Sequence, residues 1–140
     1  MVFMSSSSHF KFETPTPKDC IVTPSLVFAS PLRASSRYPA AVAAKLRHPG
    51  RTVIGITGDG DFLMNGQELA TAAQHGADLI VIVVDNSAYG TIRMHQEREF
   101  PGEERISGTR LANPDFAALG AAYGAWSTHA ATTEQFKEAL

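Results

Sequence analysis

Asp59 and Asn86 are the residues of this chain best suited to chemistry. Asp59 sits within Gly58-Asp59-Gly60, and Asn86 follows twenty-seven positions later within Asp85-Asn86-Ser87-Ala88-Tyr89-Gly90. An aspartate offers hard carboxylate oxygens and an asparagine offers an amide oxygen. Such a donor set suits magnesium, which takes octahedral oxygen coordination, keeps water, and completes its shell with phosphate oxygens. Glycines on either side of Asp59 let backbone N–H groups come close to a phosphate, and a helix opening near Asn65 adds its positive dipole end. The two glycines and the acid then share one cause: a diphosphate held through a metal ion.

Other chemistries fit these residues less well. Gly58 and Gly60 supply two glycines of a dinucleotide fingerprint and Asp85 imitates its ribose-binding acid, but Leu63 stands where the third glycine belongs. A dinucleotide-binding domain is the less favoured alternative. The P-loop triplet Gly-Lys-Ser/Thr is absent from the sequence. A calcium loop counted from Asp59 puts Leu63 and Met64 where an oxygen ligand and a glycine are needed, and one counted from Asp85 ends on Gln96. His75, His95 and His129 have no metal-ligand spacing. Taken singly, Asp59 and Asp61 read as turn or cap residues, Asn86 as a turn amide, and Gly90 as a turn glycine. Their joint spacing between two strands favours the combined site.

The elements that must position these residues follow from the punctuation. Pro39 opens a helix over "AAVAAKLRH", ended by Pro49-Gly50; "RTVIGIT" reads as a strand leading into the Gly58 loop. Asn65 is a suitable N-cap for "GQELATAAQH", with Gly76 placed to stop that helix. "LIVIVV" (79–84) is apolar on both alternations, as in a parallel strand covered on both faces. A polar stretch of about twenty residues follows, read as loop. Asn113-Pro114-Asp115 then caps "DFAALGAAY", "AWSTHA" gives a short strand, and Thr133 caps "EQFKEAL". This order predicts an α/β fold, a doubly wound, mostly parallel sheet with helices on both faces, incomplete because the last strand is missing. Ligands of such sheets bind beyond the carboxyl ends of the strands, where both loops lie.

Composition narrows the class. The 140 residues suffice for one domain, and a net charge of -2 with scattered Lys and Arg gives no footprint for nucleic acid. One cysteine, Cys20, excludes an internal disulfide framework and fits a reducing, cytoplasmic setting. No apolar run approaches a membrane span, since "LIVIVV" stops at Asp85. Residues 1–38, with Ser5 to Ser8 and no sustained period, read as an irregular, disordered tail, and 39–140 as the binding domain.

"GDGDFLMNGQELATAA", "VIVVDNSAYGTIR" and "NPDFAALGAAYGA" occur in the order found in the C-terminal domain of the acetolactate synthase and benzoylformate decarboxylase family of thiamine diphosphate enzymes. The resemblance covers Pro39 to Leu140. It implies thiamine diphosphate and Mg²⁺ as cofactors, with Asp59, Asn86 and the main-chain carbonyl of Ala88 as metal ligands. It further implies that Asp61 contacts the diphosphate and that Gly58, Gly60, Tyr89 and Gly90 line the cofactor. The parent chemistry is decarboxylation of a 2-oxo acid followed by carboligation or aldehyde release. Family members are about four times longer, and their activating Glu comes from a pyrimidine-binding domain across a subunit interface. The chain is therefore expected to be a truncated fragment, inactive alone, that forms a homo-oligomer or pairs with such a domain. The rival expectation is a non-catalytic diphosphate-binding or pairing module.

Overall fold

The computed structural model describes residues 2–4, 21–23, 26–28, 37–100 and 107–140. Cys20, Ser5 to Ser8, the stretch "LRASS" (32–36) ahead of α1, and the insertion-like "GEER" (102–105) lie outside the described residues. In chain order the strands are β1 (Val2–Met4), β2 (Ile21–Thr23), β3 (Leu26–Phe28), β4 (Thr52–Gly58), β5 (Ile80–Val84) and β6 (Trp126–Thr128). The helices are α1 (Arg37–Arg47), α2 (Asp59–Asn65), α3 (Glu68–Gln74), α4 (Gly90–Glu99), α5 (Phe116–Ala122) and α6 (Thr133–Ala139).

Alternation along β4 and β5 sets the layers. Val53 on β4, and Val81 and Val83 on β5, point to one face, where they form a core with Tyr38 and Val42 of α1, Phe62 of α2, Leu69 of α3 and Phe116 of α5. Ile54, Ile80 and Ile82 point to the other face and pack against Phe136 and Ala139 of α6. Helices on both faces explain why β5 is apolar at successive positions. The fold is therefore α/β, with β3, β4 and β5 parallel at its centre. Short antiparallel strands flank that centre, because β2 pairs with β3 and β1 lies between β5 and β6, giving the order β2-β3-β4-β5-β1-β6. Three strands thus come from the stretch 1–38; each has only three residues, too short to show a period in the sequence.

Several helix ends differ from the sequence reading. α1 begins at Arg37, which brings Tyr38 into the core at 2% exposure. Asn65 does not cap a helix: α2 starts directly at Asp59, and Asn65 is its last residue. Gly66 and Gln67 both keep right-handed helical dihedrals, so only a tightened turn, with Leu69 N–H donating to the Gly66 carbonyl, separates α2 from α3. Gly76 does stop α3, at φ +60°, with the Ala77 N–H reaching back to the Ala72 carbonyl at 2.8 Å. Gly124 ends α5 in the same way at φ +82°. The polar stretch after Gly90 is not all loop, since α4 begins on Gly90 and runs through it to Glu99. The helix was hidden because it buries no residue and carries no apolar stripe. At α6 the cap is Thr132, one residue earlier than expected, in a capping box with Gln135.

Candidate functional site

The site is built where β4 and β5 end side by side, with Gly58 opposite Val84 in the parallel register. The next residue of each strand leaves the sheet at the same edge, so Asp59 and Asp85-Asn86 are neighbours although far apart in sequence. Gly58 is still extended at φ -76° and ψ 161°, and α2 begins on Asp59. Asp59 is only 2% exposed. Its Oδ1 accepts the Gly60 N–H at 2.9 Å, and its Oδ2 accepts from Asn113 Nδ2 at 2.7 Å.

The loop from Asp85 to Tyr89 is a run of tight local bonds. Asp85 Oδ1 accepts the Ser87 N–H at 2.9 Å and Asn86 Oδ1 accepts the Ala88 N–H at 3.0 Å, two side chains that turn the backbone upon themselves. Ser87 is forced to φ +54°, a left-handed conformation rare for a residue with a side chain. The Ala88 carbonyl accepts the Gly90 N–H at 2.8 Å, with Tyr89 at φ -72° and ψ 73° in an inverse γ-turn. Segment 107–111 braces this loop: the Tyr89 N–H donates to Thr109 and the Leu111 N–H donates to Ser87. Partial burial pulls the Asp85 carboxyl up, but the hydrogen bonds from Ser87 N–H, the Asn113 amide and the Ser87 hydroxyl outweigh it and hold the group below the usual carboxylate range. A depressed carboxyl stabilises the fold at neutral pH, and that contribution is lost as pH falls through the depressed value.

A cavity of about 480 Å³ opens over these loops, within the range typical of small-molecule sites. The residues expected to bind the cofactor all line it: Gly58 at the end of β4, Asp59, Gly60 and Asp61 in the first turn of α2, Asn86, Ala88 and Tyr89 in the loop after β5, and Gly90 at the start of α4. Met64, Val84, Thr91 and Ile92 complete the wall. The first turn of α4 is thus part of the site. Tyr89 makes no side-chain cap for it, and of its leading N–H groups that of Gly90 is taken by the Ala88 carbonyl, so the start of α4 can offer an anion only the N–H groups that follow.

The glycines have separate reasons. A Cβ on Gly60 would collide with the Tyr89 ring, so the two segments interlock at this point and a side chain there would displace that ring. Gly58 has no such neighbour: the nearest atom to a Cβ there is Asp61 Oδ2 at 3.9 Å. Neither its dihedrals nor its packing demands glycine. Among the described residues, no three His, Cys, Asp or Glu side chains gather as a metal-binding group. An ion at this cavity must therefore accept few protein ligands, as magnesium does when phosphate and water complete its shell.

Sequence reasoning missed the wall residues Met64, Val84, Thr91 and Ile92, and also a side chain behind the wall that touches Asp59. Asn113 was assigned as a helix cap, but Asp115 caps α5, accepting the Ala118 N–H at 3.0 Å. Asn113 is left to reach Asp59 and Asp85 Oδ1, each at 2.7 Å. The available signal was the presence of two cap-type residues around Pro114, only one of which a helix can use.

The sequence matches the family model described as thiamine pyrophosphate enzyme, C-terminal TPP binding domain, over residues 35–140. It is 41% identical over 103 residues to the acetolactate synthase isozyme 2 large subunit of Escherichia coli (strain K12), covering 73% of this chain and 18% of that relative. It is 39% identical over 100 residues to the 3D-(3,5/4)-trihydroxycyclohexane-1,2-dione hydrolase of Bacillus subtilis (strain 168), covering 69% of this chain and 16% of that relative. In structure it is similar to the thiamine diphosphate-dependent 4-hydroxybenzoylformate decarboxylase of Rhodococcus jostii RHA1, with a TM-score of 0.68 and 35% identity over 74% of this chain and 19% of that one. The chain therefore spans less than a fifth of the length of these relatives. Among the described residues, no helix is long and apolar enough to cross a membrane.

Proposed function

The chain belongs to the thiamine pyrophosphate enzyme family, as its C-terminal cofactor-binding domain, and from that premise we propose that the cavity between Gly58 and Ile92 holds the diphosphate of thiamine diphosphate through Mg²⁺. The observation that carries this reading is the juxtaposition of Asp59 and Asn86 on one cavity wall, beside a glycine that the fold itself does not require. Asp59, Asn86 and the Ala88 carbonyl would hold the ion. Asn86 Oδ1 and the Ala88 carbonyl each accept one local N–H, and an sp² oxygen retains a second lone pair for a metal. The N–H groups of Asp61 and of the first turn of α4 would face the phosphates, and Tyr89 would close one side of the cavity.

Bound cofactor would supply a nucleophilic thiazolium carbon for attack on a 2-oxo acid, and the residues here position its diphosphate end. The parent activity is then 2-oxo acid decarboxylation with carboligation, in keeping with the acetolactate synthase relatives. Activation of the cofactor's other end is assigned to a partner pyrimidine-binding domain, in a homo-oligomer or a paired chain. The exposed apolar rim supports such a pairing: Val84 is 56% exposed, Met94 52% and Ile92 51%. A cytoplasmic setting belongs to the same reading and rests on the single Cys20.

The direct test is a titration of the 140-residue chain with thiamine diphosphate, thiamine and a nicotinamide dinucleotide, all with excess magnesium. Thiamine diphosphate is expected to bind at least about 100-fold more tightly than thiamine, because charge-assisted phosphate contacts dominate the site. Equal affinity for thiamine, or preference for the dinucleotide, would contradict the assignment.

A further inference from the structure

We propose that Asn113 is a positioning residue of this site: its amide ties the carboxylates of Asp59 and Asp85 together and fixes Asp59 in the orientation that receives the ion. The inference rests on the cofactor reading above and extends it to a residue outside both glycine loops.

The geometry is specific. One nitrogen, Asn113 Nδ2, lies 2.7 Å from Asp59 Oδ2 and 2.7 Å from Asp85 Oδ1. An NH₂ group carries two protons, one for each oxygen, and an ionised carboxylate only accepts, so the amide must present nitrogen and not oxygen to this pair. Asp59 is thereby held at both ends, by the Gly60 N–H on Oδ1 and by Asn113 on Oδ2. Each oxygen retains a lone pair for a metal. The tie also gives two neighbouring carboxylates a shared donor, without which like charges would face one another across the strand ends.

Among the described residues, no other contact asks for asparagine here. Asp115 performs the helix cap that the Asn-Pro-Asp sequence suggested for Asn113. Asn113 Oδ1 is buried without a hydrogen-bond partner among the described residues. A buried acceptor without a partner carries a cost in stability, which calls for an explanation in what the same side chain does at its nitrogen. Its placement is coupled to the loop that carries Asn86, since Leu111, two residues before it, donates to the Ser87 carbonyl at 2.9 Å. Asn113 therefore joins three segments at one point, and a side chain that orients a metal ligand in this way typically accounts for about 10 to 100-fold in metal affinity.

The experiment compares the full chain with Asn113→Ala in two measurements. Magnesium is titrated at a fixed, saturating thiamine diphosphate concentration, and the apparent magnesium affinity of Asn113→Ala is expected to fall by about 10 to 100-fold. Its circular dichroism should stay that of the wild type, which a merely structural role would not combine with a loss of metal affinity. Unchanged affinity, with wild-type binding intact, would overturn the inference and leave the cofactor reading standing. Tighter magnesium binding would also overturn it, because Asn113 would then be occupying the cation's place. The second measurement reads the tie in the metal-free chain. The Asn113 side-chain NH₂ protons, followed by ¹⁵N-resolved NMR, should exchange with solvent more slowly than those of exposed asparagines and should lose that protection in Asp85→Ala. Exchange as fast as an exposed amide would overturn the inference whether or not the cofactor binds; absence of wild-type cofactor binding would count against the function alone.

Discussion

Replacing Asp59 with alanine is expected to abolish magnesium-dependent binding of thiamine diphosphate, while Asn86→Ala weakens it to a lesser degree. Asp59 brings a full negative charge to the cavity from a position only 2% exposed, where water screens it poorly. Asn86 brings a neutral oxygen on an exposed loop, already sharing itself with the Ala88 N–H at 3.0 Å. Charge-assisted contacts are roughly twice as strong as neutral ones, so the order of the two losses follows. Asp59→Ala also strips acceptors from Gly60 N–H and Asn113, and unpaired buried donors cost about 1 to 3 kcal/mol. Circular dichroism must therefore accompany the calorimetric titration, to show that the variant is folded when binding is lost. A greater loss in Asn86→Ala than in Asp59→Ala would mean that the metal ligands are misassigned.

The largest expected effect on stability lies behind the site, at Phe62. Its ring is fully buried, tilted against Tyr38 at 5.5 Å and edge-on to Phe116 at 5.6 Å. Phe62 thus joins α2 to both α1 and α5. Truncation to alanine leaves a cavity among three helices, and Phe→Ala changes in packed cores cost about 3 to 5 kcal/mol. Set against a total of about 5 to 15 kcal/mol for ordinary domains, that is a large fraction of the stability. The first turn of α2 carries Asp59, so cofactor binding should fail together with the fold. Chemical denaturation of the two proteins measures the difference, and a loss under about 1 kcal/mol would show that the aromatic cluster does not anchor α2.

How much of this was legible in the sequence depends on where the signal resided. β5 was plain because burial on both faces demands an unbroken apolar run, as in Ile80 to Val83, and Gly76 because a left-handed helix end selects glycine. The pairing of the two loops followed from strand ends in a parallel sheet, and every residue chosen for the site lines one cavity. α4 was illegible because nothing on it is buried, so no periodicity marks it. The cap assignments failed at Asn65, Asn113 and Thr133, because several cap-type residues stand close together and only tertiary packing selects among them. α2 starts at Asp59 and ends at Asn65, with Phe62 packed between Tyr38 and Phe116. Asn113 was freed for the site when Asp115 took the cap of α5. Gly60 was read as room for a phosphate, yet its most immediate constraint is the Tyr89 ring, a contact between residues twenty-nine positions apart.

The most direct test of the account is calorimetric titration of the 140-residue chain with thiamine diphosphate, once in excess Mg²⁺ and once in excess chelator. Because Asp59 and Asn86 would touch the diphosphate mainly through the ion, binding should be measurable with magnesium and vanish with chelator. Equal heats and equal affinity under both conditions would contradict a metal-bridged diphosphate at Asp59.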